Sequence, residues 1–224
     1  MLKPAFLIFS RTPELGKVKK RLAADLGDRN ALELHKLFLD DTLWRICSLI
    51  DGKFQSSTYL YLTSRVEDHL YNAYKSVNVK LQSSGDLGQR LEAATSEIFA
   101  LGHPCCVIVG TDSPGLPKNF LIEAVNALKE KKIVIGGAED GGYYLIGISN
   151  FDGYKTLFSE ISWGSSTVFA ETMAKIATLQ VEAHLLPVWY DIDRLADFKR
   201  FMDDISKERI EVTTALKQEI EKYF

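Results

Sequence analysis

Cysteine is scarce in this chain of 224 residues, which carries only Cys47, Cys105 and Cys106. An odd count with no C-x-x-C spacing argues against a disulfide framework. Cys105 and Cys106 open an apolar run and read as buried, reduced thiols. Histidine is equally sparse. His35, His69, His103 and His184 are scattered, and no Ser-His-Asp pattern or metal-type histidine spacing points to a hydrolase or a zinc site. No long basic stretch exists and the net charge is −3, which speaks against a nucleic acid or a membrane surface as partner. No segment approaches the roughly 20 apolar residues of a membrane span. The opening MLKPAFLIFSR is too briefly apolar for a signal peptide and has no small-residue cleavage site, so a soluble protein of the cytoplasm is expected. Internal repeats, low-complexity tracts and Pro/Gly/Ser linkers are absent, so residues 1–224 are expected to form one domain.

What is present is ordinary globular composition. With 46% hydrophobic and 25% charged residues, the chain has enough apolar side chain for a full core. Short β-branched and aromatic runs alternate with stretches of helical period. Strands are expected at Ala5 to Phe9, Ser57 to Leu62, Val77 to Leu81, Cys105 to Val109, Ile133 to Ile135, Tyr143 to Ile148 and Val181 to Val188. Helices are expected through Leu34, Leu37, Phe38, Trp44 and Cys47, around Val66 to Tyr74, from Gly88 to Leu101, Asn119 to Lys129, Ser166 to Leu179, Asp193 to Asp204 and Glu208 to Tyr223. The unbroken CCVIV run of Cys105 to Val109 suits a central strand covered on both faces. The alternation predicts an α/β fold with a mainly parallel sheet between helical layers.

In such sheets ligands bind beyond the carboxyl ends of the strands, and four loops there are unusual. The first, S10-R-T-P-E-L-G-K-V-K-K-R-L22, follows the first strand. It gathers Arg11, Lys17, Lys19, Lys20 and Arg21 around Gly16, a composition suited to phosphate and equally to a solvated, basic helix start. It is neither a Walker A loop nor G-x-G-x-x-G. The second, V109-G-T-D-S-P-G-L116, places Asp112 beyond the central strand, where a carboxylate can hold Mg²⁺ against a diphosphate. Taken alone, that pattern favours a turn or helix-capping aspartate. The third, G136-G-A-E-D-G-G142, sets Glu139 and Asp140 among four glycines, where the acids can meet sugar hydroxyls or serve as a base; the competing reading is a hairpin turn with exposed acids. The fourth, W189-Y-D-I-D193, points Asp191 and Asp193 the same way if extended, as a second metal ligand or, on pattern alone, as a cap on the next helix.

Taken together, TDSPGLP, EDGGYYLIGI, ISWGSSTVF and YDIDRLADF resemble, in order and spacing, a glycosyltransferase-like family of the nucleotide-diphospho-sugar transferase superfamily. The family is the rSAM/selenodomain-associated transferase 1, or arsenosugar-biosynthesis glycosyltransferase-like, group. SRTPELGKVKKRL is similar to its basic K-x-P-x-x-G-x-V-K-T-R-L element, and also to that of phospholactate guanylyltransferases. The resemblance runs from Phe6 to Phe198. Arg11 stands for the family's Lys, Lys20 for its Thr, and D-S-P for its frequent D-C-P. The resemblance implies a GT-A-type three-layer α/β/α sandwich. It implies nucleotide phosphates near Arg11, Gly16, Lys19 and Arg21, and a Mg²⁺ or Mn²⁺ ion at Asp112 with Asp193 or Asp191 as second ligand. The activity expected first is glycosyl transfer from a nucleoside-diphosphate sugar to a small-molecule acceptor. The rival is nucleotidyl transfer from an NTP to a phosphorylated small molecule with release of pyrophosphate. A third reading, from another class, is a nucleotide-binding regulator without catalysis.

Overall fold

A computed structural model describes residues 3–50, 56–65 and 77–223. The helix expected around Val66 to Tyr74 lies outside the described residues. Seven strands form one sheet: β1 (Ala5–Ser10), β2 (Ser57–Leu62), β3 (Asn78–Leu81), β4 (Cys105–Val109), β5 (Ile133–Ala138), β6 (Tyr143–Ser149) and β7 (Ala183–Trp189), in the order β3-β2-β1-β4-β6-β5-β7. Strand β6 runs antiparallel to both neighbours and every other pairing is parallel. The CCVIV strand is therefore fourth of seven, and all five of its residues are buried.

Period-two alternation in the strands sends side chains to two faces. Phe6, Ile8, Cys105, Val107 and Val109 pack on one face, against Leu39, Leu43 and Ile46 of α2 (Asp28–Ile50) and Phe120, Leu121 and Val125 of α4 (Lys118–Ala127). Ala5, Leu7, Cys106 and Ile108 take the other face, against Leu91, Ala94 and Ile98 of α3 (Leu87–Ala100) and Ile176 of α5 (Val168–Thr178). The result is the expected three-layer α/β/α arrangement. Helix α3 starts where Asp86 accepts the Gln89 amide and the Gln89 side chain returns the bond to Asp86, a reciprocal N-terminal cap. No helix among the described residues is long and apolar enough to cross a membrane.

A third apolar cluster explains how the ends of the chain reach the same place. Leu22 of α1 (Lys20–Leu26), Leu34 and Phe38 of α2, Tyr190 and Ile192 after β7, Phe198 and Phe201 of α6 (Leu195–Ser206), and Leu216 and Ile220 of α7 (Thr214–Ile220) pack together. Helix α2 thus carries two apolar stripes, one toward the sheet and one toward this cluster. A short 3₁₀ turn follows α7 at Glu221–Tyr223, closing the stretch expected as a single helix from Glu208.

On the stripe of Leu34 and Phe38 lies a buried ion pair. Arg45 Nε donates to Asp41 Oδ2 at 2.7 Å, and the two side chains are 3% and 0% exposed. Arg45 also donates to the carbonyls of Leu116, at 3.1 Å, and Glu211. Asp41 accepts the amides of Gly115 at 3.0 Å and Thr213 at 2.9 Å. One helix therefore grips both the loop after β4 and the segment after α6.

Candidate functional site

The loops after β1, β4 and β7 meet at the carboxyl end of the sheet. Their backbones are joined directly: the Ile192 amide donates to the Asp112 carbonyl at 2.8 Å. Ser10 and Thr111, at the ends of β1 and β4, touch through their hydroxyls at 3.2 Å. The acidic loops, far apart in sequence, thus share one place.

Lys19 lies at its centre. Its ammonium is 2.6 Å from Asp112 Oδ1, 3.5 Å from Asp193 Oδ1, and donates to the Ile192 carbonyl at 2.6 Å. Its side chain is 4% exposed whereas that of Asp112 is 52% exposed. The residue caps α1 in the left-handed region, φ 43°, which a side chain with a Cβ adopts at a cost. Gly16 nearby is also left-handed, φ 72°, where glycine is the natural occupant. Helix α1 begins at Lys20, so Lys20 and Arg21 stand on its first turn. Arg11 and Lys20 are exposed. Arg21 lies 3.4 Å from Asp193 Oδ2 with its side chain 64% exposed. Of the expected phosphate ligands, Arg11 and Arg21 therefore face solvent, while Lys19 faces the carboxylates.

Desolvation raises the pKa of Asp112, but the adjacent Lys19 ammonium outweighs it and leaves the group below its ordinary value. Asp191 goes the other way. Burial, opposed by a hydrogen bond from Ser113 and reinforced by the Asp112 and Asp140 carboxylates, pushes it up to about 6.

The donor chemistry fits a divalent cation. Two carboxylates converge on one ammonium, which stands in for a positive ion there. Among the described residues no group of three or more His, Cys, Asp or Glu is arranged around a single point, but a Mg²⁺ ion that keeps its waters and meets a diphosphate needs few protein oxygens.

The Glu139–Asp140 turn closes a tight β5–β6 hairpin. Strand β5 continues through Gly136 and Gly137 to Ala138, beyond the Ile133 to Ile135 read from the sequence. A Cβ at Gly136 would lie 2.2 Å from the Tyr144 ring. Gly141, φ 91°, lies against the Ser166 carbonyl, with no room for a Cβ. Close packing accounts for the glycines at these two positions. Glu139 is engaged by Arg200 of α6 through two hydrogen bonds of 2.7 and 3.1 Å, and that guanidinium stacks on Tyr190 at 3.9 Å. Asp140 accepts the Gly142 amide at 2.8 Å.

Sequence reading missed several residues that build this end of the sheet. Gln82, just past β3, donates to the carbonyls of Ser10 and Tyr61, each at 3.0 Å, and so ties three strand ends together. Asp41 and Arg45 were discoverable, because their helical spacing puts them on the stripe of Leu34 and Phe38. His35 is buried beneath the first loop, with Nε2 3.0 Å from the Arg11 carbonyl. A carbonyl only accepts, so Nε2 carries the proton. Nδ1 has no partner among the described residues.

Burial lowers the His35 pKa, and the Lys19 and Arg11 charges add to the effect against the opposing hydrogen bond that the ring donates to the Arg11 carbonyl and the Asp112 charge. The folded protein therefore keeps this ring neutral while the unfolded chain takes up a proton below about pH 6.5. Stability is expected to fall as pH drops through that value. Asp191 acts in the opposite sense. Its folded pKa exceeds the unfolded one, so its ionisation between about pH 4 and 6 lowers stability as pH rises. Denaturant midpoints of wild type and His35→Gln at pH 7.5 and 5.5 separate the two, since both proteins keep Asp191. A parallel loss in the two proteins would rule out the histidine as the source.

Comparison with known proteins gives this arrangement its context. No protein with a curated description matches the sequence. A solved structure from Desulfovibrio desulfuricans, provisionally described as a nucleotide-diphospho-sugar transferase, matches with a TM-score of 0.84 and 29% identity over 100% of this chain and 99% of its own. A cytidylyltransferase from Leptospira borgpetersenii matches with a TM-score of 0.56 and 17% identity over 100% of this chain and 95% of its own. A 4-diphosphocytidyl-2C-methyl-D-erythritol synthase from Anaerococcus prevotii gives 0.54 and 10%, over 87% and 92%. The fold is the one these structures share, with its mixed, mainly parallel seven-stranded sheet. Residues 50–165, just over half of the chain, match the family described as uncharacterized protein conserved in bacteria (DUF2064), and the chain belongs to that family.

Proposed function

We propose that this protein is a nucleotide-dependent transferase that moves a glycosyl group from a nucleoside-diphosphate sugar to a small acceptor, with a divalent metal at Asp112 and Asp193. The observation that carries the reading is the meeting of a basic loop and two acidic loops around Lys19 at the carboxyl end of the sheet. Its support from relatives is the description of the Desulfovibrio structure as a nucleotide-diphospho-sugar transferase. The resemblance of five motifs to those of the arsenosugar-biosynthesis glycosyltransferase-like group favours the same chemistry.

When bound, Mg²⁺ or Mn²⁺ would neutralise charge on the leaving diphosphate. Asp112 and Asp193 would hold it, with Asp191 alongside on its Ser113 bond. Arg11 and Arg21, both exposed at this end of the sheet, would meet the phosphate oxygens. Glu139 and Asp140 would face donor sugar or acceptor. Arg200 holds Glu139 in place, which leaves Asp140 as the better candidate for a base.

Nucleotidyl transfer is the second reading. It is favoured by the cytidylyltransferase relatives in the same fold and by a basic loop that suits a triphosphate as well as a diphosphate. A thermal-shift screen of NTPs and nucleotide sugars with Mg²⁺ or Mn²⁺ is the first test, since a ligand of the folded form raises Tm by mass action. Product analysis with the binders then decides. Release of a nucleoside diphosphate supports glycosyl transfer, and release of pyrophosphate supports nucleotidyl transfer. Binding without turnover of any donor would point to the regulator instead. Arg21→Ala is expected to weaken nucleotide binding by about 1–3 kcal/mol, the size of a charge-assisted bond. Unchanged affinity by calorimetry would return Arg21 to the solvated face of α1.

A further inference from the structure

Three protein oxygens surround the Lys19 ammonium: Asp112 Oδ1 and the Ile192 carbonyl at 2.6 Å, and Asp193 Oδ1 at 3.5 Å. The first two lie at hydrogen-bond distance and the third is an ion-pair partner, so the protein itself supplies the partners of this ammonium. Its surroundings hold it there. The side chain is 4% exposed, and Nζ lies 5.6 Å from the centre of the Phe38 ring. Asp193 is occupied on its other side too, with Arg21 Nη1 3.4 Å from Oδ2. The carboxylates that could hold a metal are therefore already bound by cations belonging to the chain.

A divalent ion on Asp112 and Asp193 would need the same oxygens at about 2.0–2.6 Å. With the ammonium left in place, the two cations would sit within a few ångströms of each other and repel strongly at the low effective dielectric of a half-buried site. We propose that Lys19 is the resident cation of the Asp112–Asp193 pair and keeps divalent metals off it in the nucleotide-free protein. Metal enters only when the ammonium is drawn to other anionic oxygens, such as those of an arriving phosphate. Lys19 thereby makes metal binding follow the phosphate.

The inference rests on this cation–carboxylate cluster, and it is tested without nucleotide, so its outcome is separate from that of the proposed transferase activity. Mn²⁺ alone is titrated into the full-length protein and its uptake followed by electron paramagnetic resonance. Wild type and Asp112→Asn are expected to take up Mn²⁺ equally feebly. Lys19→Met, with the ammonium gone and the carboxylates retained, is expected to bind Mn²⁺ about tenfold or more tightly than wild type. The gain is expected to vanish in Lys19→Met/Asp112→Asn. Tighter uptake by wild type than by Asp112→Asn, or no gain in Lys19→Met, overturns the proposal. Should Lys19→Met fail to fold, Lys19→Gln, which also removes the charge, takes its place: a gain in Mn²⁺ uptake that depends on Asp112 is expected, and no gain overturns the proposal.

Discussion

Asp112→Asn is expected to abolish the metal-dependent part of nucleotide binding and to lower turnover by on the order of a hundredfold or more, because a lost metal contact removes several kcal/mol of charge stabilisation from the transition state. The fold is expected to survive. Asparagine is nearly the same size, the side chain is 52% exposed, and the Asp112 carbonyl that accepts the Ile192 amide is untouched. Lys19 keeps two of its three oxygens, from Ile192 and Asp193. Alanine would be a poorer choice, since it also removes a polar side chain from a turn and mixes stability with function. The check is a calorimetric titration of nucleotide with and without Mg²⁺ or Mn²⁺. Equal strengthening by metal in wild type and Asp112→Asn would show that this carboxylate is a turn residue and an ion-pair partner of Lys19, nothing more.

Arg45→Met is expected to cost about 3–5 kcal/mol of folding stability, the penalty of leaving one partner of a buried ion pair uncompensated. Asp41, with 0% of its side chain exposed, would be left with only the Gly115 and Thr213 amides as partners. The carbonyls of Leu116 and Glu211 would lose their donor as well. Asp41→Leu/Arg45→Met removes both charges and is expected to recover part of the loss. It does not recover all of it, because four backbone groups are then left without these partners. Equilibrium unfolding of the two variants and of Asp41→Leu completes the cycle. Additive losses would mean that the pair is not coupled, and that Arg45 serves only as packing.

The two predictions differ in how far the sequence anticipates them. Asp112 stood out because a lone aspartate follows the most apolar strand in the chain, and an apolar run of that length requires cover on both faces. Strand and helix positions were legible for the same reason: the periods of 2 and 3.6 are local properties of side-chain direction. Even the strand over Ser57–Leu62 was read with its observed ends. The extension of β5 through Gly136 and Gly137 was not, because glycine is a strand breaker until a ring such as that of Tyr144 claims the space. The spacing of Arg45 puts it on the apolar stripe of Leu34 and Phe38 but does not show what it meets there. A charged residue in a helix is read as solvated unless the surface it meets is known.

The sequence by itself determined the alternation of elements, the central place of Cys105 to Val109, and the nomination of the loops after β1, β4 and β7. These follow from burial, which is written in the pattern of apolar residues along the chain. Only the tertiary structure decided what the nominated side chains do to one another. Lys19 and Asp193 are separated by most of the chain, yet the packing of α1, α2, α6 and α7 into one apolar cluster brings them to 3.5 Å. The same packing set the Lys19 ammonium against two carboxylates and Arg200 against Glu139. Attraction between charges depends on their separation in space and on the water between them, and neither quantity is present in the order of residues.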